Sequence, residues 1–94
     1  MVRHIVLWKL KEENADANAA QIKEKLEALV GVVDGLLKAE VTRNFTPGGY
    51  DLCLYSEFTG KAALEGYQVH PQHLKAREIV HQAITDRVVC DSEI

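Results

Sequence analysis

Residues 2–10 read VRHIVLWKL, and residues 50–58 read YDLCLYSEF. Successive side chains of a strand point to opposite faces. His4, Val6, Trp8 and Leu10 therefore share one face of the first run, and Arg3, Ile5, Leu7 and Lys9 the other. Both faces are apolar at their centre: Val6 and Trp8 on one, Ile5 and Leu7 on the other. The second run behaves alike, with Leu52, Leu54 and Phe58 set against Cys53 and Tyr55. An antiparallel sheet with one wet face reads polar on that face. These two strands belong in the middle of a sheet that is covered on both sides.

Outward from these runs, the chain alternates strand and helix. Lys11 to Asn14 break the first strand, and Asn14 or Asp16 caps a helix. Ala19, Ile22, Leu26, Leu29, Val30 and Val33 recur at helical spacing, with Lys23, Glu24 and Glu27 on the wet side and Gly31 and Gly35 at the exit. Leu37 to Phe45 alternates again, with Leu37, Ala39, Val41 and Phe45 inward. Thr46-Pro47-Gly48-Gly49 is a turn that makes a hairpin with the strand at 50–58. Thr59 caps a short helix, Lys61 to Tyr67. Pro71 ends it, holds His70 extended and opens a second helix, Pro71 to Ile84, with His70 at its cap. Arg87 to Asp91 is the last strand.

The order βαββαβ predicts an α+β, ferredoxin-like fold in one domain, residues 1–94. A four-stranded antiparallel sheet has strands one and three central and strand four beside strand one. The helices cover one face. A second copy of the chain covers the other, which makes a homodimeric α/β barrel.

Composition narrows the partners. The chain has 94 residues, 47% apolar and 27% charged, with a net charge of −3 and a pI near 5.7. That balance lacks the basic face that nucleic acid or an anionic membrane surface demands. No apolar run is long enough to cross a bilayer. The N-terminus runs straight into a strand with no small-residue cleavage site, which predicts a cytoplasmic chain without a leader. Cys53 and Cys90 are expected to be buried free thiols on strands that are not neighbours. No cofactor motif is present: Gly48-Gly49 is not followed by a helix that could present amides to a phosphate. His70 and His73 lose helical register across Pro71 and have no third ligand nearby, so no metal site is expected.

Chemistry falls to histidine and tyrosine. His4 shares its strand face with Val6 and Trp8, and His73, Ala76, Arg77 and Val80 form a stripe on the second helix. If that stripe meets the sheet, His73 approaches His4, and Tyr67 points into the same space at the kink. Val6, Trp8, Arg77 and Val80 would line a pocket there. Imidazole takes and gives a proton near neutral pH, and a phenol donates to a developing oxyanion. His4, Tyr67 and His73 would thus suit enolisation, aldol closure or proton transfer beside a carbonyl without a cofactor. The same residues also suit a core, with the histidines bonded to backbone and Tyr67 packing the kink. His81 shares the outer stripe with Leu74 and Glu78 and is expected in solvent.

VRHIVLWKLKEE, YDLCLYSEF and above all YQVHPQHLK resemble the stress-responsive dimeric α/β barrel family, Dabb, along nearly the whole chain from Val2 to about Glu93. The resemblance implies a ferredoxin-like fold and two chains whose sheets pack into a barrel. A plant polyketide cyclase of the family closes an aldol with a Tyr and a His as acid/base pair; those positions match Tyr67 and His73, and its strand-one His matches His4. Trp8 places a large ring where that cyclase has a smaller side chain, which disfavours a long alkyl substrate. Three functions follow as expectations. One is cofactor-independent acid/base chemistry on a small carbonyl compound. Another is a stress-response dimer that binds a small apolar ligand without reaction. A third is a monooxygenase of the antibiotic-biosynthesis type or a haem-degrading barrel, to which Trp8 beside a histidine is similar.

Overall fold

A computed structural model describes residues 1–94. The elements in chain order are β1 (Val2–Leu10), α1 (Ala15–Glu27), β2 (Leu36–Arg43), β3 (Leu52–Phe58), α2 (Lys61–Val69), α3 (Pro71–Ala83) and β4 (Ile84–Glu93). The sheet order is β2-β3-β1-β4, and every pair is antiparallel. This is the ferredoxin-like βαββαβ arrangement, with the second helix broken into α2 and α3.

All three helices lie on one face. Val2, Val6, Trp8, Leu52, Leu54, Phe58 and Val41 from the sheet join Ile22 and Leu26 of α1, Leu64 and Tyr67 of α2, and Ala76 and Val80 of α3 in one core of 19 buried residues. Full burial of each large apolar side chain contributes about 1.5–3 kcal/mol. The molecule measures 35 × 26 × 17 Å. Its 17 Å thickness is that of a single helix layer on a single sheet.

Burial along β1 and β3 alternates strictly, and their front residues are buried while Ile5, Leu7, Cys53 and Tyr55 on the back are half-buried. β2 departs from the simple alternation. Leu36 pairs with Phe58 and Lys38 with Glu57, so Leu37 is an extra residue, a β-bulge. The bulge turns Leu36 inward and leaves Leu37 half-exposed, and Phe45, past the strand end, is 97% exposed. Strand parity predicts both Leu37 and Phe45 in the core; the bulge puts Leu37 out of phase, whereas Ala39 and Val41 keep the expected phase and Phe45 lies beyond Arg43, where the strand has ended. Val30 is also exposed, because α1 ends at Glu27 and a tight turn follows. Glu27 leaves the solvent face: it accepts from the Val41 amide (2.9 Å), and Lys23 donates to the Val41 carbonyl (3.0 Å). The pair satisfies the open edge of β2, and the Lys23 and Val41 donors hold the Glu27 carboxyl below its usual range.

Gly35 sets the entry to the site. Its φ is +81°, and a Cβ there would lie 2.5 Å from the Ala63 Cβ and 2.9 Å from the Thr59 hydroxyl. Only glycine lets this turn approach the first turn of α2. The cap of α2 is Gly60 rather than Thr59, and it carries no side-chain cap. Cys90 is exposed on β4 and Cys53 is half-buried on β3, so neither thiol is the buried residue expected. The two strands flank β1 and do not pair with each other. No helix is long and apolar enough to cross a membrane.

Candidate functional site

The site forms where the helix breaks. On an unbroken helix Tyr67 and His73, six residues apart, would point about 120° away from each other. The break prevents that. His70 is extended (φ −66°, ψ 132°), its Nδ1 accepts from the Gln72 amide at 3.1 Å, and Pro71 opens α3. His70 is thus taken up as a helix cap. Tyr67 at the end of α2 and His73 at the start of α3 then stack, with ring centroids 3.9 Å apart and planes 28° from parallel.

His4 reaches the same place from below. Its ring lies edge-on to Tyr67 (6.0 Å) and to Phe58 (6.2 Å). Phe58 meets Tyr67 edge-on at 5.0 Å. His4 is buried between strands, where Ser56 donates its hydroxyl to the His4 carbonyl at 2.8 Å. From the other side, His4 Nδ1 is hydrogen-bonded to the Asp91 carboxylate across the β1–β4 register. A carboxylate only accepts, so the proton of this bond sits on Nδ1, and Nε2 is left to the cavity side. Asp91 is absent from the residues singled out in the sequence. Its signal lies in strand register: His4 and Asp91 are direct partners, but only once β4 is aligned from Ile84.

These rings bound a cavity of about 270 Å³. Its buried walls are His4, Val6, Trp8, Leu26, Leu54, Tyr67 and Val80; half-buried His73 joins them, and Gln68, Arg77, His81 and Arg87 form its exposed rim. The structure thus brings His4, Tyr67, His73, Val6, Trp8, Arg77 and Val80 to one place. His81 is exposed, yet it stands at the rim of this cavity, and Arg87 joins it from β4.

The electrostatics separate the two polar rings on the helix side. Burial pushes the Tyr67 hydroxyl far above the usual phenol range, so it keeps its proton at every physiological pH. Burial lowers His73 to about 4 against the opposing backbone of Gln68, with Arg77 and His4 adding smaller contributions to the lowering and the backbone of Tyr67 a smaller one against it. His73 is therefore neutral at pH 7, and its buried Nδ1 has no hydrogen-bond partner. A stacked pair results in which one ring is a fixed donor and the other an unprotonated base. No group of three or more His, Cys, Asp or Glu residues stands close enough to hold a metal ion.

Fold and site together define a small ferredoxin-like α+β protein that carries a ring-walled cavity on its helix-covered face. The chain belongs to the family of stress responsive A/B barrel domains, Dabb, which matches residues 2–94. It is similar to a dimeric protein of unknown function and ferredoxin-like fold from Bacteroides fragilis, at 33% identity and a TM-score of 0.90, over 99% of this chain and 95% of that one. It has the fold of a hydroxynitrile lyase from Passiflora edulis (20% identity, TM-score 0.87, 99% and 92% covered). It shares the fold also with an antibiotic biosynthesis monooxygenase (16% identity, TM-score 0.81, 100% and 98% covered). No curated protein matches the chain in sequence.

Proposed function

We propose that this protein is a homodimeric barrel whose cavity binds a small carbonyl compound and moves a proton beside the carbonyl without a cofactor. The observation that carries this is the stack of Tyr67 on His73 at 3.9 Å, with the one ring held protonated and the other held neutral by the same burial. Neighbouring groups whose environments fix opposite proton states are the mark of an acid/base pair.

In the proposed step, His73 takes a proton from the carbon next to the carbonyl. The electron pair of that C–H bond becomes the C=C bond of the enolate, and the carbonyl π pair moves onto oxygen. Tyr67 donates a hydrogen bond to that oxygen as its charge develops. His4, fixed by Asp91, orients the substrate through Nε2. For exchange, the proton on His73 swaps with solvent before a proton is returned to carbon. For aldol closure, the enolate carbon attacks a second carbonyl and the oxygen of that carbonyl takes the proton held on His73. A hydroxynitrile lyase on the same fold also suits a reading in which the barrel serves lyase-type chemistry.

The homodimer rests on the back of the sheet. Ile5, Leu7, Cys53 and Tyr55 are half-buried there, Val88 is 43% exposed, and Cys90 lies beside Ile5. The charged residues of this face surround the patch: Arg3, Lys9, Glu57 and Asp86 towards the strand ends, and the Lys38–Glu40 pair on the edge strand β2 beside Tyr55. No helix of the chain covers it. A second copy seated sheet to sheet would hide this patch, and the Bacteroides fragilis relative is itself dimeric.

The test is hydrogen–deuterium exchange at carbons next to a carbonyl, followed by proton NMR across a panel of small ketones in D₂O. The expected result is catalysed exchange that falls 10²–10⁴-fold in both H73Q and Y67F, with unchanged far-UV circular dichroism. Folded variants that exchange at the parent rate would overturn the acid/base reading.

A further inference from the structure

The rim of the cavity carries charge that the proposed proton transfer does not use. Arg77 and Arg87 both line it, and neither guanidinium takes part in any of the chain's ion pairs. His81 stands between helix and strand beside them, and no Asp or Glu lines the cavity at all. This is a local inversion, because the chain holds 14 acidic residues against 11 basic ones. Asp86, next to Arg87, is engaged elsewhere: it accepts from the Tyr50 hydroxyl (2.9 Å) and from the Arg87 backbone amide (2.9 Å). Two permanent positive charges facing one small apolar chamber repel each other and are relieved by an anion.

We propose that the substrate is a carbonyl compound bearing a carboxylate, gripped at the rim by Arg77 and Arg87 while its carbonyl reaches Tyr67 and His73. The inference rests on the acid/base reading of the cavity and names its substrate class. Guanidinium binds carboxylate through two parallel N–H···O bonds, which fixes direction as well as charge. The rim-to-wall order then sets chemistry: the carboxylate stays at the wet end, and the apolar remainder with its carbonyl lies among Trp8, Val6 and Tyr67. A volume of about 270 Å³ suits a short keto acid. A small substrate of this kind also fits the space that Trp8 leaves in the chamber.

Trp8 is the only tryptophan and a wall of the cavity, so its fluorescence reports occupancy without any turnover. Levulinate and its neutral methyl ester share the keto chain and differ in the carboxylate charge and one methyl group, and they serve as probes. At low salt levulinate is expected to bind at least about tenfold more tightly than the ester, as one or two charge-assisted bonds supply. About 0.5 M salt should shrink that preference. The R77Q/R87Q double variant should abolish it, with levulinate falling to no better than the ester. Both arginines are exposed, so this variant keeps the fold. Equal affinity for acid and ester would overturn the inference and leave the cavity reading intact. Displacement of levulinate by inorganic phosphate at equal concentration would also overturn it, in favour of a phosphorylated ligand. No response of Trp8 to either probe, in a protein that also catalyses no exchange, would remove the cavity reading itself.

Discussion

The two faces of β1 are built from alternate residues of one nine-residue strand, and they have opposite fates. On the front, Val6 is 2% and Trp8 4% exposed under the helices. On the back, Ile5 and Leu7 are half-buried with nothing from the same chain above them. The front ends in a cavity with polar rings in fixed proton states. The back ends in a smooth apolar patch bounded by charge. Period-2 alternation lets a single strand serve both, and it makes the two separately breakable. Substitution at position 6 attacks folding, whereas in the proposed sheet-to-sheet dimer substitution at position 7 attacks association.

That contrast gives the largest expected effect. Val6→Asp places a charge in the 19-residue core, at a cost of about 3–5 kcal/mol or more. Expressed protein should lack a cooperative thermal transition. Leu7→Asp places the same charge one residue along, on the back. Each copy in a two-fold interface carries the change, so association is weakened twice over. The expected product keeps the far-UV spectrum of the parent and sediments at half its mass. A Leu7→Asp protein that still sediments as a dimer would remove the sheet-to-sheet arrangement.

Much of this architecture is legible in the sequence. The alternation in VRHIVLWKL places His4 and Trp8 on the helix side, and the HP break in YQVHPQH turns Tyr67 and His73 towards each other. Local rules suffice there, because proline and strand parity act within a few residues. Two features lie beyond such rules. Leu36-Leu37 offers two apolar residues in succession, and either phase fits the pattern; only pairing with Phe58 and Glu57 shows which one bulges. The Asp91–His4 bond depends on register across 87 residues of chain, with a shift between Lys9 and Leu10. β4 also begins three residues earlier than its apolar pattern suggests, since Ile84 and Asp86 pair with Leu10 and Lys9 around an extra residue, Thr85. Long-range register is set by packing, which no local pattern states.

Asp91 therefore sharpens the front half of the comparison. Asp91→Asn keeps an oxygen acceptor but removes the charge that fixes the Nδ1 proton of His4. If His4 orients the substrate through Nε2, exchange should fall about tenfold, a smaller loss than at His73, since Asp91 acts only through His4. The melting temperature should move little, as Asp91 is partly exposed. The informative readout is the split between kcat and KM. A positioning role lowers kcat and raises KM together, whereas a purely structural bond would move the melting curve and neither constant.

The smallest effect is a pH dependence of stability that belongs to the front face alone. His73 is held to about 4 in the folded chain, against 6.5 as its ordinary value. Between those limits the unfolded chain binds a proton on this residue that the folded chain refuses, so stability rises with pH across that window and is lost on acidification from about 6.5 towards about 4. Glu27 acts lower on the scale: its folded carboxyl is depressed below 4.5, so its contribution is present above 4.5 and fades only beneath it. The two windows separate the groups. In urea unfolding followed from pH 6.5 downwards, the parent should lose stability with a slope below the one-proton ceiling of about 1.4 kcal/mol per pH unit. His73→Gln should flatten that slope and leave the loss below 4.5 in place. An unchanged slope in the variant would mean that His73 is open enough to water to titrate normally, and its standing as a neutral base beside Tyr67 would fall with it.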